Sequence, residues 1–235
     1  MIHFGNRKRL TPMYIEKSYQ FLKQLHLHNN REWFQKHKTM YMEAKEEFEI
    51  FINTIIAKIQ HIDPEVDVFE AKECMFRIYR DVRFSKNKEP YKTNFGAFIA
   101  KGGRKSPYAG YYIHFQPGQS FIGGGIYMPK PNFLLSIRTR IYENPDEFKN
   151  IITNETFATY FDDIYGDKLK TAPRGFPKDF NDIDLLKHKH YAVTHHVNDC
   201  FWRVEDLIQN IEKIIKALHP FNTYLNNVIK KELEK

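Results

Sequence analysis

Apolar positions along this chain follow three regimes, helical toward either end and alternating in the middle. Between Met13 and Leu27 they recur at Tyr14, Phe21, Leu22 and Leu25, and Thr11-Pro12 supplies a cap residue followed by proline at a first helical position, so a helix is predicted there. The segment His28-Asn29-Asn30-Arg31-Glu32-Trp33-Phe34 offers asparagine N-caps for a second helix, with Glu32 in the first turn where the helix dipole favours negative charge. Within that helix Tyr41, Ala44, Phe48, Phe51, Ile52, Ile55, Ile56 and Ile59 keep the three-four spacing of one buried face.

After Asp63-Pro64 the period changes. Phe76 to Phe84 alternates and is rich in β-branched and aromatic residues; Asn94–Lys101, Tyr111–Gln116 and Phe121–Met128 follow, separated by Gly102-Gly103 and Pro117-Gly118. Short runs with that punctuation predict an antiparallel meander. Pro129-Lys130-Pro131 then opens a helix with Leu134, Ile137 and Ile141 on one face and Arg138 beside it, and further helix is expected over 145–153 and 155–164. Residues 171–181 read as loop and Tyr191–Val197 as another strand. A last helix from about Trp202 buries Val204, Leu207, Ile208, Ile211, Ile215 and Leu218, with an interruption expected at Pro220.

Strands clustered in the middle, flanked by helices, predict an α+β fold rather than a doubly wound parallel sheet. The expectation is a single α+β domain over 1–235, helical over 1–62, mainly strands over 68–128 and mainly helical over 131–235. Its central sheet, antiparallel or mixed, is packed by N-terminal and C-terminal helices. No linker, low-complexity segment or internal repeat divides it.

Composition sharpens this picture in three ways. With 42% hydrophobic and 15% aromatic residues, including 20 Phe and 14 Tyr, the 235 residues carry enough apolar surface to offset the entropy lost on folding. No window reaches the ~18 apolar residues of a membrane span, and Cys74 and Cys200 form neither a CxxC pair nor a secreted disulfide framework, so reduced thiols and a cytoplasmic location are expected. The net charge of +7 is unevenly placed: residues 1–70 hold ten Lys/Arg against ten Asp/Glu, residues 71–140 thirteen against three, and residues 141–235 thirteen against sixteen. A basic middle attracts anions.

The densest chemistry lies in residues 77–92. If 76–84 is a strand, Arg77, Tyr79, Asp81 and Arg83 share one face, and Phe76, Ile78, Arg80, Val82 and Phe84 form the core face. On the first face, Arg77 and Arg83 are candidates to clamp an anion, with Asp81 orienting a guanidinium or acting as a catalytic base. Lys86, Lys88, Tyr91 and Lys92 would line the rim, Arg80 would reach round the strand edge, and Arg138 would contribute from the following helix. The rival reading of this row is a structural polar ladder. Gly123-Gly124-Gly125 fits close backbone packing or a bulge better than a phosphate cradle, because no GK[ST] follows it. His188, His190, His195 and His196, near Asp199 and Cys200, match no zinc spacing, and no metal or cofactor is assigned. GxSxG, HExxH, Walker and Rossmann patterns are absent.

The pattern Arg77, Arg80, Asp81, Arg83, Phe84, Asn87, Lys88 and Tyr91 resembles the signature of a domain-of-unknown-function family of uncharacterised bacterial proteins. Asn29 to Phe34, the Gly123–Gly125 run with Tyr127 and Pro129, and Leu169-Lys170 before Pro173 and Gly175 look like further family features, so the resemblance covers nearly the whole chain. The family pattern has His-Pro after the acidic residue near position 179; Phe180-Asn181 stands here, and no catalytic His is assigned there. The resemblance implies an α+β domain and no known activity.

Three functional readings follow, in order. The first is binding of a small phosphate- or carboxylate-bearing ligand in an Arg/Lys/Tyr-lined pocket, with catalysis left open. The second is nucleic-acid binding through the basic middle segment, supported by a pI near 9.2 and aromatics interleaved with basic residues. The third is a structural or interaction module.

Overall fold

Four strands form one antiparallel sheet in the order β1 (Phe95–Ile99), β2 (Gly110–Phe115), β3 (Ser120–Ile126) and β4 (Tyr191–Val197). The structure is a computed structural model and describes residues 15–235; the cap proposed at Thr11-Pro12 and the position of Tyr14 lie outside the described residues. The first three strands are the meander, and the fourth joins the free edge of β3 after a long helical excursion. Period-two alternation gives the sheet two unlike faces. Phe95, Ala97, Ile99, Tyr111, Ile113, Phe115, Ile122 and Val193 are buried on one, whereas Phe98, Tyr112, His114, Phe121 and Thr194 are only half-buried on the other.

Helices cover the first face. α1 (Glu16–Leu27) buries Phe21, Leu22 and Leu25 against the N-terminal half of a long helix. The single second helix expected from the sequence is two, α2 (Arg31–Lys36) and α3 (Lys38–Ile62), broken at His37. Asn30 is the N-cap, its side-chain oxygen accepting from the Trp33 N–H at 2.9 Å. α3 lays Phe48, Phe51, Ile52 and Ile55 toward β1 and the C-terminal helix. A short α4 (Ala71–Cys74) precedes the sheet.

Beyond the meander come α5 (Pro131–Glu143), α6 (Pro145–Ile152), α7 (Glu155–Ala158) and α8 (Ile183–Leu186). Proline stands at the start of α5 and α6, as expected, but α5 buries Phe133 with Ile137 and Ile141 while Leu134 is half-buried. α7 stops six residues short of the predicted end, and Phe161 and Ile164 turn into the core from irregular chain.

The last helix, α9 (Leu207–Leu233), runs straight through Pro220. Proline removes one backbone donor and crowds the carbonyl of the preceding turn, and here Pro220 and Lys216 are both exposed residues on the helix's outer side. Leu218, Phe221 and Leu225, on either side of Pro220 in sequence, are fully buried on the helix face toward the sheet and hold both halves of the helix to the core. Among the described residues no helix is long and apolar enough to cross a membrane.

Candidate functional site

The predicted strand over 76–84 does not form. Phe76 N–H still donates to the Gly96 carbonyl at 2.9 Å, and then the chain leaves the sheet and doubles back on itself. Arg80 N–H donates to the Pro90 carbonyl and Lys92 N–H to the Ile78 carbonyl, with one isolated pairing of Tyr79 and Tyr91. A two-stranded ribbon without a third strand or a packed face is marginal in water, and Pro90 has no N–H to extend it. The expected core face is lost with the strand: Ile78 is buried at the root, Val82 is half-buried, and Phe84 is 96% exposed at the tip.

What anchors the root comes from the N-terminal motif. Asn29 donates its side-chain amide to the Tyr91 carbonyl at 3.0 Å and accepts from the Tyr91 N–H at 3.2 Å. Phe34, at the end of the same motif, stacks on the Tyr91 ring with centroids 4.0 Å apart and planes 12° off parallel. Tyr91 is therefore a buried tether, not the rim residue expected from the sequence.

The other predicted residues are placed by this loop. Asp81 takes Arg83 alone, bidentately: Nε donates to Oδ1 at 2.9 Å and Nη2 to Oδ2 at 2.6 Å. Arg83 holds that carboxyl below the usual aspartate range, and the pair orients the guanidinium. Arg80 reaches Glu89 and the Ser85 hydroxyl, and Lys88 donates to the Val82 carbonyl at 3.0 Å. Arg77 and Lys86 are exposed. Arg138 lies on α5, donating to the His188 carbonyl at 2.8 Å, and does not join the others. Of the two arginines expected to clamp an anion, Arg83 is held by Asp81, and Arg77 is exposed close to that pair.

Of all these residues only Lys92 lines a cleft of about 540 Å³ on the uncovered face of the sheet. Phe76 and Lys92 from the loop root, Phe98 on β1, and Arg104 and Tyr108 from the β1–β2 connection make one side. Tyr112, His114 and Phe121 form the floor, and the glycine run, Tyr127, Tyr165 and Thr194 close the other side. Tyr127 and Tyr165 are gathered round His190, whose Nδ1 accepts from the Met128 N–H at 3.1 Å.

The glycines are there for contact between strands: a Cβ on Gly123 would sit 2.2 Å from the Val193 carbonyl oxygen, and one on Gly125, where φ is 93°, 2.2 Å from that of Tyr191. This is the close-packing reading of the run, and it also leaves that side of the cleft without side chains.

Charge in the cleft is one-sided. Lys92 is half-buried, its Nζ lies 5.4 Å from the Phe76 ring centre, and it has no carboxylate partner among the described residues; residues 1–14 contain no Asp or Glu. Burial, followed by the neighbouring Arg77, lowers its pKa. Arg104 points the same way but donates to the carbonyls of Lys72 and Glu73.

Beneath them runs a hydrogen-bonded chain. Gln116 donates its amide nitrogen to Thr93 and Gln119, which turns its oxygen to His114 Nε2 at 3.0 Å. His114 then carries its proton on Nε2, and its Nδ1 accepts from the Tyr112 hydroxyl at 3.2 Å. Burial lowers the His114 pKa and pushes that of Tyr112 up to about 12, so both are neutral near pH 7. Gly96 leaves the room for that hydroxyl, since a Cβ there would lie 2.7 Å from it.

The histidines near the C-terminal third do not converge. His188 is buried, His190 serves Met128, and His195 and His196 are adjacent on β4 and so point to opposite faces. Among the described residues no group of three or more His, Cys, Asp or Glu could hold a metal.

A family model described as "Conserved hypothetical protein (DUF2461)" matches residues 17–224. No curated protein and no solved structure matches the chain.

Proposed function

The chain belongs to this conserved hypothetical family, DUF2461, and on that premise we propose that it binds a small phosphate- or carboxylate-bearing ligand in the cleft over the uncovered sheet face. The observation that carries the reading is Lys92: a half-buried ammonium without a carboxylate partner, beside Arg77, at an aromatic cleft. Burying a charge unpaired is costly, and an anion that pairs with Lys92 and Arg77 offsets both desolvation and mutual repulsion. About 540 Å³ suits a single small molecule, and Phe76, Phe98 and Tyr108 favour one with a flat or apolar body. Tyr112 and His114, both neutral and hydrogen-bonded to each other, present fixed rings at the floor.

The test is a thermal-shift screen of phosphorylated metabolites, nucleotides and small carboxylates, repeated with Lys92→Met. The expected outcome is a hit that stabilises the wild type, with affinity about tenfold or more lower in the variant, the cost of a lost charge-assisted contact. Unliganded Lys92→Met should melt at or slightly above wild type, because it removes a desolvated, repelled charge. A variant that binds the hit equally well overturns the reading.

A further inference from the structure

We infer that the loop of residues 77–91 is a separate binding surface, and that it takes single-stranded nucleic acid. The inference does not depend on what fills the cleft. A phenylalanine that is 96% exposed gains nothing for the fold, yet Phe84 stands at the tip of the most basic stretch of the chain. Residues 77–91 hold five Lys/Arg and only two acids. Both acids are occupied within the loop, Asp81 by Arg83 and Glu89 by Arg80 and Asn87, so neither opposes an incoming anion.

Asp81 does more than neutralise. Its two bonds fix the Arg83 guanidinium 5.9 Å from the centre of the Phe84 ring, while the remaining N–H groups stay exposed. Tyr79, 47% exposed, offers a second ring on the same loop. Exposed rings set among cations match a strand that alternates bases with phosphates: rings stack on bases and cations track the backbone.

Other polyanions fit less well. Past Arg83 the tip reads Phe84-Ser85-Lys86-Asn87-Lys88-Glu89, a single apolar residue, where insertion into a lipid surface needs a broad apolar face. A duplex keeps its bases stacked and admits a helix or a regular ribbon to its groove, and this loop is neither.

Fluorescence anisotropy of the full chain with labelled oligothymidylate and oligouridylate of about ten nucleotides tests this, with a duplex of equal length and phosphatidylserine vesicles as the other arms. The expected result is binding of the single strands that weakens roughly tenfold or more between about 50 and 200 mM salt. Phe84→Ala should cut the affinity about fivefold or more without moving the melting temperature, the effect of one lost base-stacking contact. Lys86→Gln should lower the salt slope by about 0.7. Absence of oligonucleotide binding, preference for the duplex or the vesicles, or a Phe84→Ala affinity equal to wild type would each overturn the inference. Because these variants leave Lys92 and the cleft intact, their outcome is independent of the ligand screen.

Discussion

The loop of residues 77–91 and the cleft beside it are built in opposite ways. The loop concentrates its charged residues in one continuous stretch, and nearly all of them end up in solvent. The cleft takes one or a few residues from each of several distant segments, and it holds Lys92 half-buried without a carboxylate partner among the described residues. Density of charge in a sequence therefore marks where chain is readily solvated. A cavity needs side chains brought together from afar, with one face of a sheet left uncovered.

The sharpest way to break this contrast is through the loop's two phenylalanine neighbours. Phe34 is 1% exposed, stacked on Tyr91, and its truncation to Ala should cost about 3–5 kcal/mol. Phe84→Ala should stay within about 0.5 kcal/mol of wild type in the same urea melts. Limited trypsin digestion should cut the loop faster in Phe34→Ala, because its root is freed. Equal melts for the two variants would mean that the tip is packed after all.

A smaller effect is expected from Gly123→Ala, where the new methyl meets the Val193 carbonyl. Repacking β3 against β4 should cost about 1–3 kcal/mol, and it should impair whatever binds the cleft while leaving oligonucleotide binding by the loop unchanged. Parallel loss of both would show one continuous site instead of two.

The smallest effect separates the regions by pH. Burial holds the His114 pKa below its ordinary 6.5, so the fold favours the neutral ring. The associated stability is complete above pH 6.5 and is lost as pH falls through the lower folded value. The loop contains no histidine. Protonation of His114 adds a positive charge at the cleft floor, so binding of a fully ionised anion in the cleft should strengthen on acidification through the His114 titration while the loop's oligonucleotide affinity does not respond to it, and NMR titration of the His114 ring should give a midpoint under 6.5. A midpoint at or above 6.5 would place His114 in solvent.

How much of this was legible in advance depends on whether a signal is local. The Asn30 cap, the prolines opening α5 and α6, the meander and β4 were readable because each rests on neighbours within a few residues. Pro220 misled for the complementary reason. Its penalty is local, whereas the burial of Leu218, Phe221 and Leu225 that keeps α9 continuous is not. Alternation over 76–84 misled in the same way, since a strand also needs a partner on its edge and Pro90 offers none beyond one pairing.

Lys92 was singled out for its charge, but its cleft was not foreseen, nor was the role of Asn29, because no spacing rule links it to Tyr91 across 62 positions. The sequence by itself determined the class of fold, the three-strand meander with its fourth strand, and the place of its excess charge, all of which follow from short-range periodicity and composition. Only the tertiary structure decided which face of the sheet stays uncovered, which cation is buried there and which phenylalanine faces water, because burial is a relation between segments that local sequence does not contain.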